Sequence, residues 1–195
     1  MSAGEVIGRA FERSEVTLDV FSLTSESLDA HVRLQAERIG AREIAPERIA
    51  LRVLLPSEGL DLPYPRARDD AEDPRPQERL REIRRRHTES LRRLVQDLKV
   101  WGLPSSVSLE MRSAPLTPAF RLWLLNGTEV LFAPYEAVER VVVVDDGEEI
   151  EVIDVLGLGA TCTHHISDDD PYSQGSVFVS SMQAWFDSVW KLLAR

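Results

Sequence analysis

The hydrophobic pattern of this sequence changes near residue 105, and that change constrains the fold more than any other feature. Before it, apolar β-branched segments at 16–23 and 49–55 are separated by segments with helical spacing, and this order favours parallel strands. After it, short apolar segments flank Asn126-Gly127 and the acidic turn 145–147, residues that accept the positive φ of hairpin turns. The sequence therefore predicts an α/β fold, in which helices cover both faces of a mixed sheet.

Apolar residues at three- and four-residue steps predict four helices along the chain. They cover residues 4–13, residues 25–39 with Ser25 as N-cap and Gly40 as stop, a long helix that ends at Trp101, and a last helix from about Ser176. Residues 56–77 are rich in proline and aspartate and predict a long loop that could cover a site. Residues 1–195 are expected to form a single domain, with 1–15 as an N-terminal helix or linker.

Charge argues against one large class of function. The chain has 23 basic and 33 acidic residues and a formal net charge of −10. Nucleic-acid binders normally present a basic surface, so direct nucleic-acid binding is not expected. The arginines between residues 79 and 93 alternate with Glu78, Glu82 and Glu89, which predicts a solvated helix face with internal ion pairs.

The sequence shows no sign of secretion or of membrane insertion. No apolar run reaches the roughly 18 residues of a membrane span, and the N-terminus lacks the basic start and apolar centre of a signal peptide. Cys162 is the only cysteine, which excludes an internal disulfide. We therefore expect a cytoplasmic protein that has no membrane partner.

The densest group of potential metal ligands is His164-His165 followed by Asp168-Asp169-Asp170. Adjacent histidines on a strand point to opposite sides, so one ion cannot easily use both. We expect neither a metal nor a cofactor here. A metal-assisted hydrolase that uses His164 or His165 with the Asp168–Asp170 run remains the alternative function.

Two segments near the C-terminus carry a family resemblance: residues 168–176, and the pattern Trp-Phe-Asp-Ser-Val-Trp at 185–190. Together with residues 121–134 they resemble the C-terminal effector region of actinobacterial winged-helix (GntR-like) transcriptional regulators. The resemblance implies a non-catalytic domain for ligand sensing or protein interaction in a bacterial transcription-regulatory system. Only 15 residues precede Val16, too few for a winged helix, so we expect an excised effector domain or a stand-alone relative.

The same region also resembles one half of the phospholipase D-like superfamily, whose signature is His-x-Lys, an Asp and then Gly-Ser over a hairpin. In this sequence Ala119 stands at the place of the His and Arg121 at that of the Lys. Asn126 stands at the place of the Asp, and Ala133-Pro134 at that of Gly-Ser. The resemblance implies a phospholipase D-like fold without a nucleophile, since alanine cannot form a phosphoenzyme. Arg121 alone keeps a side chain that suits an anion.

These observations predict one ligand-binding site and one oligomeric state. Ligands of open α/β sheets gather at the carboxyl ends of parallel strands. We predict a pocket for an anionic small molecule, lined by Ser22, Thr24, Ser57 and Arg121 with His164 or His165. The apolar face of the last helix predicts a homodimer, and a purely structural dimerisation module is the second alternative function. The residues behind that prediction are Trp185, Phe186, Val189, Trp190 and Leu193.

Overall fold

Helices and strands alternate in the first half of the chain, and strands dominate the second half. The computed structural model describes residues 2–144, 147–157 and 161–195. In chain order the elements are α1 (Ala3–Ala10), β1 (Glu15–Phe21), α2 (Glu26–Gly40), β2 (Arg48–Pro56), β3 (Arg66–Ala67), α3 (Arg75–Trp101), β4 (Ser106–Ala114), β5 (Phe120–Leu125), β6 (Glu129–Pro134), β7 (Ala137–Val143), β8 (Glu149–Val155), β9 (Thr163–Ile166) and α4 (Gln174–Leu192).

The main sheet is mixed, as predicted, with the strand order β4-β2-β1-β5-β6-β9. β1, β2 and β4 are parallel, because helices connect them. β5, β6 and β9 are antiparallel to their neighbours. Asn126 and Gly127 join β5 to β6 with φ of 53° and 66°, which confirms the predicted turn.

Helices cover both faces of this sheet. One apolar core joins α1, α2 and α3 to side chains such as Val20, Val53 and Trp123. A second core joins α4 to Phe21, Leu54 and other side chains on the opposite face. Within the described ranges, no helix has both the length and the apolar character needed to cross a membrane.

A second, smaller sheet was not predicted. The β7–β8 hairpin forms as expected, but it pairs with β3 rather than with the main sheet. Its turn residues 145 and 146 lie outside the described residues. From its sequence, the segment 157–163 could add one more strand, but residues 158–160 lie outside the described residues and β9 begins only at Thr163.

The segment predicted as a loop at 56–77 is more ordered than its composition indicated. It contains β3, and α3 begins within it, at Arg75. Leu60, Leu62 and Tyr64 pack against Leu23 at the end of β1 and against neighbouring apolar side chains. The segment therefore covers the carboxyl ends of the parallel strands with apolar contacts.

The start of α4 and the use of its apolar face differ from the prediction. α4 begins at Gln174, two residues before the predicted start at about Ser176, and its N-cap is Ser173, whose side chain accepts from the Ser176 amide. Phe186, Val189 and Trp190 are buried against the chain's own sheet rather than left for a second copy. The homodimer stays a prediction, but these three residues are already covered.

Candidate anion-binding site

The candidate site centres on Arg121, the second residue of β5. Residues alternate between the faces of a strand, so Arg121 shares the face of Trp123, which packs in the core under α1–α3. Arg121 is only 8% exposed. Its Nη1 lies 3.4 Å from Ser27 Oγ and 3.3 Å from the Gly157 carbonyl oxygen, and its Nη2 lies 3.3 Å from Cys162 Sγ.

No carboxylate of the described residues lies within ion-pair distance of Arg121. This distinguishes it from the buried acidic side chains among the described residues, each of which is paired. Asp19 pairs with Arg52, Asp29 with His87 and Arg33, and Asp154 with Arg140. A buried charge without a counter-charge is costly, and a bound anion would reduce that cost at Arg121.

The first turn of α2 faces the same guanidinium through Ser27. The α2 N-cap, Ser25, makes no side-chain bond to the first-turn amides, and its Oγ lies 3.4 Å from Thr88 Oγ1 instead. The amide end of a helix carries a partial positive charge that attracts anions. Arg121 and the amide end of α2 therefore lie at one place, while the two carboxylates of that first turn, Glu26 and Asp29, lie against His87 of α3.

The titratable neighbours of Arg121 favour their neutral forms. Burial lowers the pKa of His31, and the charge of Arg121 lowers it further. Burial raises the pKa of Tyr135 to about 12, and its hydroxyl oxygen accepts from the Leu23 amide at 2.9 Å. Neither His31 nor Tyr135 therefore supplies a negative charge that would compensate the guanidinium.

Trp123 supplies a further donor on the same face. Its Nε1 is buried and has no acceptor among the residues that the structure describes. Its ring meets the His31 ring edge to face, with centroids 5.4 Å apart. Buried donors are nearly always satisfied in folded proteins, so this indole N–H, two residues along β5 from Arg121, is a second donor on that strand face that a hydrogen-bond acceptor would satisfy.

The structure brings together only part of the predicted pocket. Ser22 follows the last β1–β5 pair, Phe21↔Leu122, so the register places it opposite Arg121. Ser22 Oγ, however, donates to the Thr24 carbonyl at 2.7 Å. Thr24 Oγ1 lies 3.4 Å from the Glu26 amide.

Ser57 follows β2, two strands away from β5, and its amide donates to Ala114 across the β2–β4 pair. None of the three predicted hydroxyl residues forms a hydrogen bond with Arg121 in the described chain.

Two neighbours of Arg121, Ser27 and Cys162, were missed. Ser27 lies two residues after the α2 N-cap, and such an early helix position is a signal that sequence alone offers. The β6–β9 register, extended by one residue, places Cys162 opposite Ala133, which itself pairs with Arg121. That row across three strands depends on pairings between distant segments, so the sequence could not reveal it.

His164 and His165 point to opposite faces of β9, as strand alternation requires. His164 Nε2 lies 2.8 Å from Glu129 Oε2, while the His165 ring stacks on Phe178 with centroids 4.0 Å apart. The Asp168 carboxylate meets the start of α4, where hydrogen bonds, chiefly from Ser173, lower its pKa.

Within 2–144, 147–157 and 161–195, no group of three or more His, Cys, Asp and Glu side chains is placed to hold a metal ion. The two histidines and the acidic run thus share no site in this part of the chain.

Three comparisons with known proteins identify no relative. No family model matches the chain, and neither the curated proteins nor the solved structures give a significant match. Function is therefore inferred from the chemistry around Arg121 and from the sequence resemblances of residues 119–134, 168–176 and 185–190.

Proposed function

We propose that this chain is a non-catalytic module that binds a small anionic molecule at Arg121. The observation that carries the proposal is a buried guanidinium without a carboxylate partner in the described chain. In line with the sequence resemblance, its role is ligand sensing in a bacterial transcription-regulatory system. The ligand supplies the missing negative charge and so links binding to the stability of the β5–α2 contact.

The hydrogen bonds that Arg121 makes within the chain are long, and an anion could form shorter and stronger ones. Its three hydrogen bonds span 3.3–3.4 Å and involve neutral acceptors. Charge-assisted bonds from arginine to an anion are shorter, about 2.7–2.9 Å, and roughly twice as strong as neutral ones. A phosphate or carboxylate can accept from Arg121 and from the first turn of α2 at the same time.

We also propose that the fold is phospholipase D-like. The hairpin that carries the resemblance is β5–β6 in the main sheet, with Arg121 facing α2. Ala119 immediately precedes β5 and has no nucleophilic atom. Asn126 lies at the other end of the hairpin, where its side chain supports the turn. This arrangement supports binding without phosphoryl transfer.

Binding can be tested with inorganic phosphate, sugar phosphates and dicarboxylates in thermal-shift and calorimetric titrations. A ligand that binds the folded state raises the melting temperature. Arg121→Gln should weaken binding of the identified anion by about 1.5–3 kcal/mol, the usual worth of a hydrogen bond to a charged group. Arg93→Gln, at a side chain that is 80% exposed, is the matched control and should bind as wild type does. Equal affinity in the Arg121 variant would refute the proposal.

A phosphodiesterase assay tests the proposal that the module is non-catalytic. Because Ala119 occupies the place of the nucleophile in the phospholipase D-like pattern, the protein should not hydrolyse bis-p-nitrophenyl phosphate. Turnover that is lost on mutation within β5–β6 would favour an enzyme, and sensitivity of that turnover to a chelator would favour the metal-assisted alternative.

A further inference from the structure

A second buried arginine lies far along the sequence from the Arg121 site. Arg84 is on α3, is 9% exposed, and donates to the carbonyl of Pro56 at the end of β2. No carboxylate in the described chain lies within ion-pair distance of it, and burial lowers its pKa. The charge of Glu58 acts on it from beyond ion-pair distance and offsets the effect of burial only in part, so the fold holds another buried guanidinium without a direct carboxylate partner in the described chain.

Arg84 contributes to the wall of a groove of about 780 Å³ between α3, the end of β2 and β4. The other arginines that line the groove are Arg81, Arg85, Arg92, Arg112 and Arg195. The four acidic lining residues are Glu58, Glu78, Glu82 and Glu89. Six arginines against four glutamates make this groove basic in a chain whose net charge is −10.

The free positive charge of the groove is concentrated on α3. Arg85 is paired with Glu82 at 2.7 Å and with Glu89 at 3.1 Å, so its charge is fully compensated and these three residues together carry a net charge of −1. Arg81 and Arg92 are exposed and have no ion pair with any described residue. With Arg84 between them, they extend over about 16 Å of one helix face, at 1.5 Å per residue.

We propose that this groove binds a small molecule that carries two or more phosphate-type negative charges. Its volume lies within the range of small-molecule pockets, about 300–1,000 Å³. Arginine side chains suit phosphate oxygens because their donors form a planar fork. Their spread along α3 fits several anionic groups better than one. The groove shares no lining residue with the Arg121 contacts, so the two binding activities are independent.

Calorimetric titration with inorganic pyrophosphate tests this proposal, with orthophosphate for comparison. Wild type should bind pyrophosphate more tightly than orthophosphate. Arg92→Gln and Arg84→Gln should each weaken pyrophosphate binding by at least about tenfold, as loss of a charged hydrogen bond predicts. The control is Arg93→Gln, which removes the same charge one residue further along α3. Arg93 does not line the proposed groove but an adjacent one beside Arg33 and Ser90, which shares Glu82, Arg85 and Glu89 with it. The Arg93 variant should therefore bind as wild type does.

Arg92 is exposed, so its variant decides the matter even if Arg84→Gln fails to fold. Equal weakening by Arg93→Gln would show that only overall charge matters, and would overturn the proposal. Loss of binding in Arg121→Gln with retention in Arg92→Gln would place the pyrophosphate at Arg121 and overturn it as well. Binding of an acidic peptide such as hexaglutamate without binding of pyrophosphate would replace the small-molecule class with a protein partner.

Discussion

Asp19 shows how this fold keeps a buried carboxylate. Its Oδ1 accepts from Arg52 Nε at 2.7 Å and its Oδ2 accepts from Gln183 at 3.0 Å. Arg52 also pairs with Asp187 and lies 5.1 Å from the centre of the Phe186 ring. The network therefore ties β1 and β2 to α4, and both Asp19 and Arg52 are mostly withdrawn from solvent.

Asp19→Ala should lower the free energy of unfolding by about 2–4 kcal/mol, because Arg52 would lose its main counter-charge in a mostly buried position. Urea denaturation measures the loss. Glu15→Ala is the control, since Glu15 and Arg48 form an exposed pair at 3.8 Å. An exposed pair contributes less than about 1 kcal/mol. Similar losses in the two variants would show that the Asp19 network adds no specific stability.

Gly175 is required by a close backbone approach. A Cβ built at this position would lie 2.1 Å from the carbonyl oxygen of Ile166 in β9. Gly175→Ala should therefore force β9 and α4 apart and cost about 1–3 kcal/mol, as overpacking usually does. Gly59→Ala is the matched control, because a Cβ there meets nothing within 4 Å. Thermal unfolding of both variants makes the comparison, and a Gly175 variant as stable as the Gly59 variant would contradict the close approach.

At the scale of elements, Asn126 connects the β5–β6 hairpin to the start of the fold. Its side-chain oxygen accepts from the Thr17 amide at 2.9 Å, and its amide donates to the Ala10 carbonyl at 3.1 Å. Its φ of 53° is one that few residues other than glycine adopt easily. Asn126 thus has a conformational role in the turn and a hydrogen-bonding role towards α1 and β1.

Two substitutions separate those roles. Asn126→Gly keeps the turn conformation and should cost about 1–3 kcal/mol for the hydrogen bonds that are lost. Asn126→Ala loses the same bonds and adds the strain of a left-handed φ, about 1 kcal/mol more. The free energies of unfolding should therefore rank wild type, then the glycine variant, then the alanine variant. Equal stability of glycine variant and wild type would show that the two hydrogen bonds contribute nothing.

The sequence predicted those elements whose cause is local. Asn126-Gly127 requires a tight turn, and Gly102 ends α3 with a φ of 67°. Local spacing also predicted an apolar stripe on α3, yet Trp101 at its end is 49% exposed. The pairing of β8 with the two-residue β3 was not predictable, because strand partners are chosen by contacts between distant segments.

The site was predictable only at its centre. Arg121 stood out because it is the one basic residue in the phospholipase D-like register. Its neighbours Gly157 and Cys162 lie 36 and 41 residues away along the chain and come close through sheet pairing. The hydroxyls of Ser22 and Thr24 are instead used within their own turn. Proximity to a strand end therefore placed Ser22 opposite Arg121 but did not identify the contacts of the guanidinium.

On the scale of the whole molecule, α4 covers one face of the main sheet. The width of its apolar face therefore could not show whether it packs on this sheet or on a second copy. Phe186 and Trp190 of α4 close the face opposite α1–α3 and are buried there. A helix face of this width is equally suited to a second copy and to the chain's own sheet. The large apolar side chains left exposed on and after α4 are Val177, Leu192 and Leu193.

His31 should make the stability of the whole fold depend on pH. Its pKa in the folded state is lowered, first by burial and then by the charge of Arg121, whereas an unfolded histidine titrates near 6.5. The unfolded state therefore binds the proton more readily, and the free energy of unfolding should fall as pH decreases below about 6.5. Urea denaturation between pH 7.5 and pH 5.5 (about this window, from the reference pKa) should show a loss in wild type that is smaller in His31→Gln.

The charge of Arg121 contributes to the lowered pKa of His31, so the same histidine reports on the proposed anion site. Removal of the charge in Arg121→Gln, or its neutralisation by a bound phosphate, should raise the pKa of His31, because a like charge no longer opposes protonation. NMR titration of the imidazole signals, assigned with His31→Gln, measures that pKa directly. Arg93→Gln serves as control for a general change in charge, since Arg93 is exposed on α3 and is not among the groups that shift the His31 pKa. An unchanged His31 pKa in Arg121→Gln would show that burial alone sets it, and that the guanidinium does not act on this histidine as the geometry indicates.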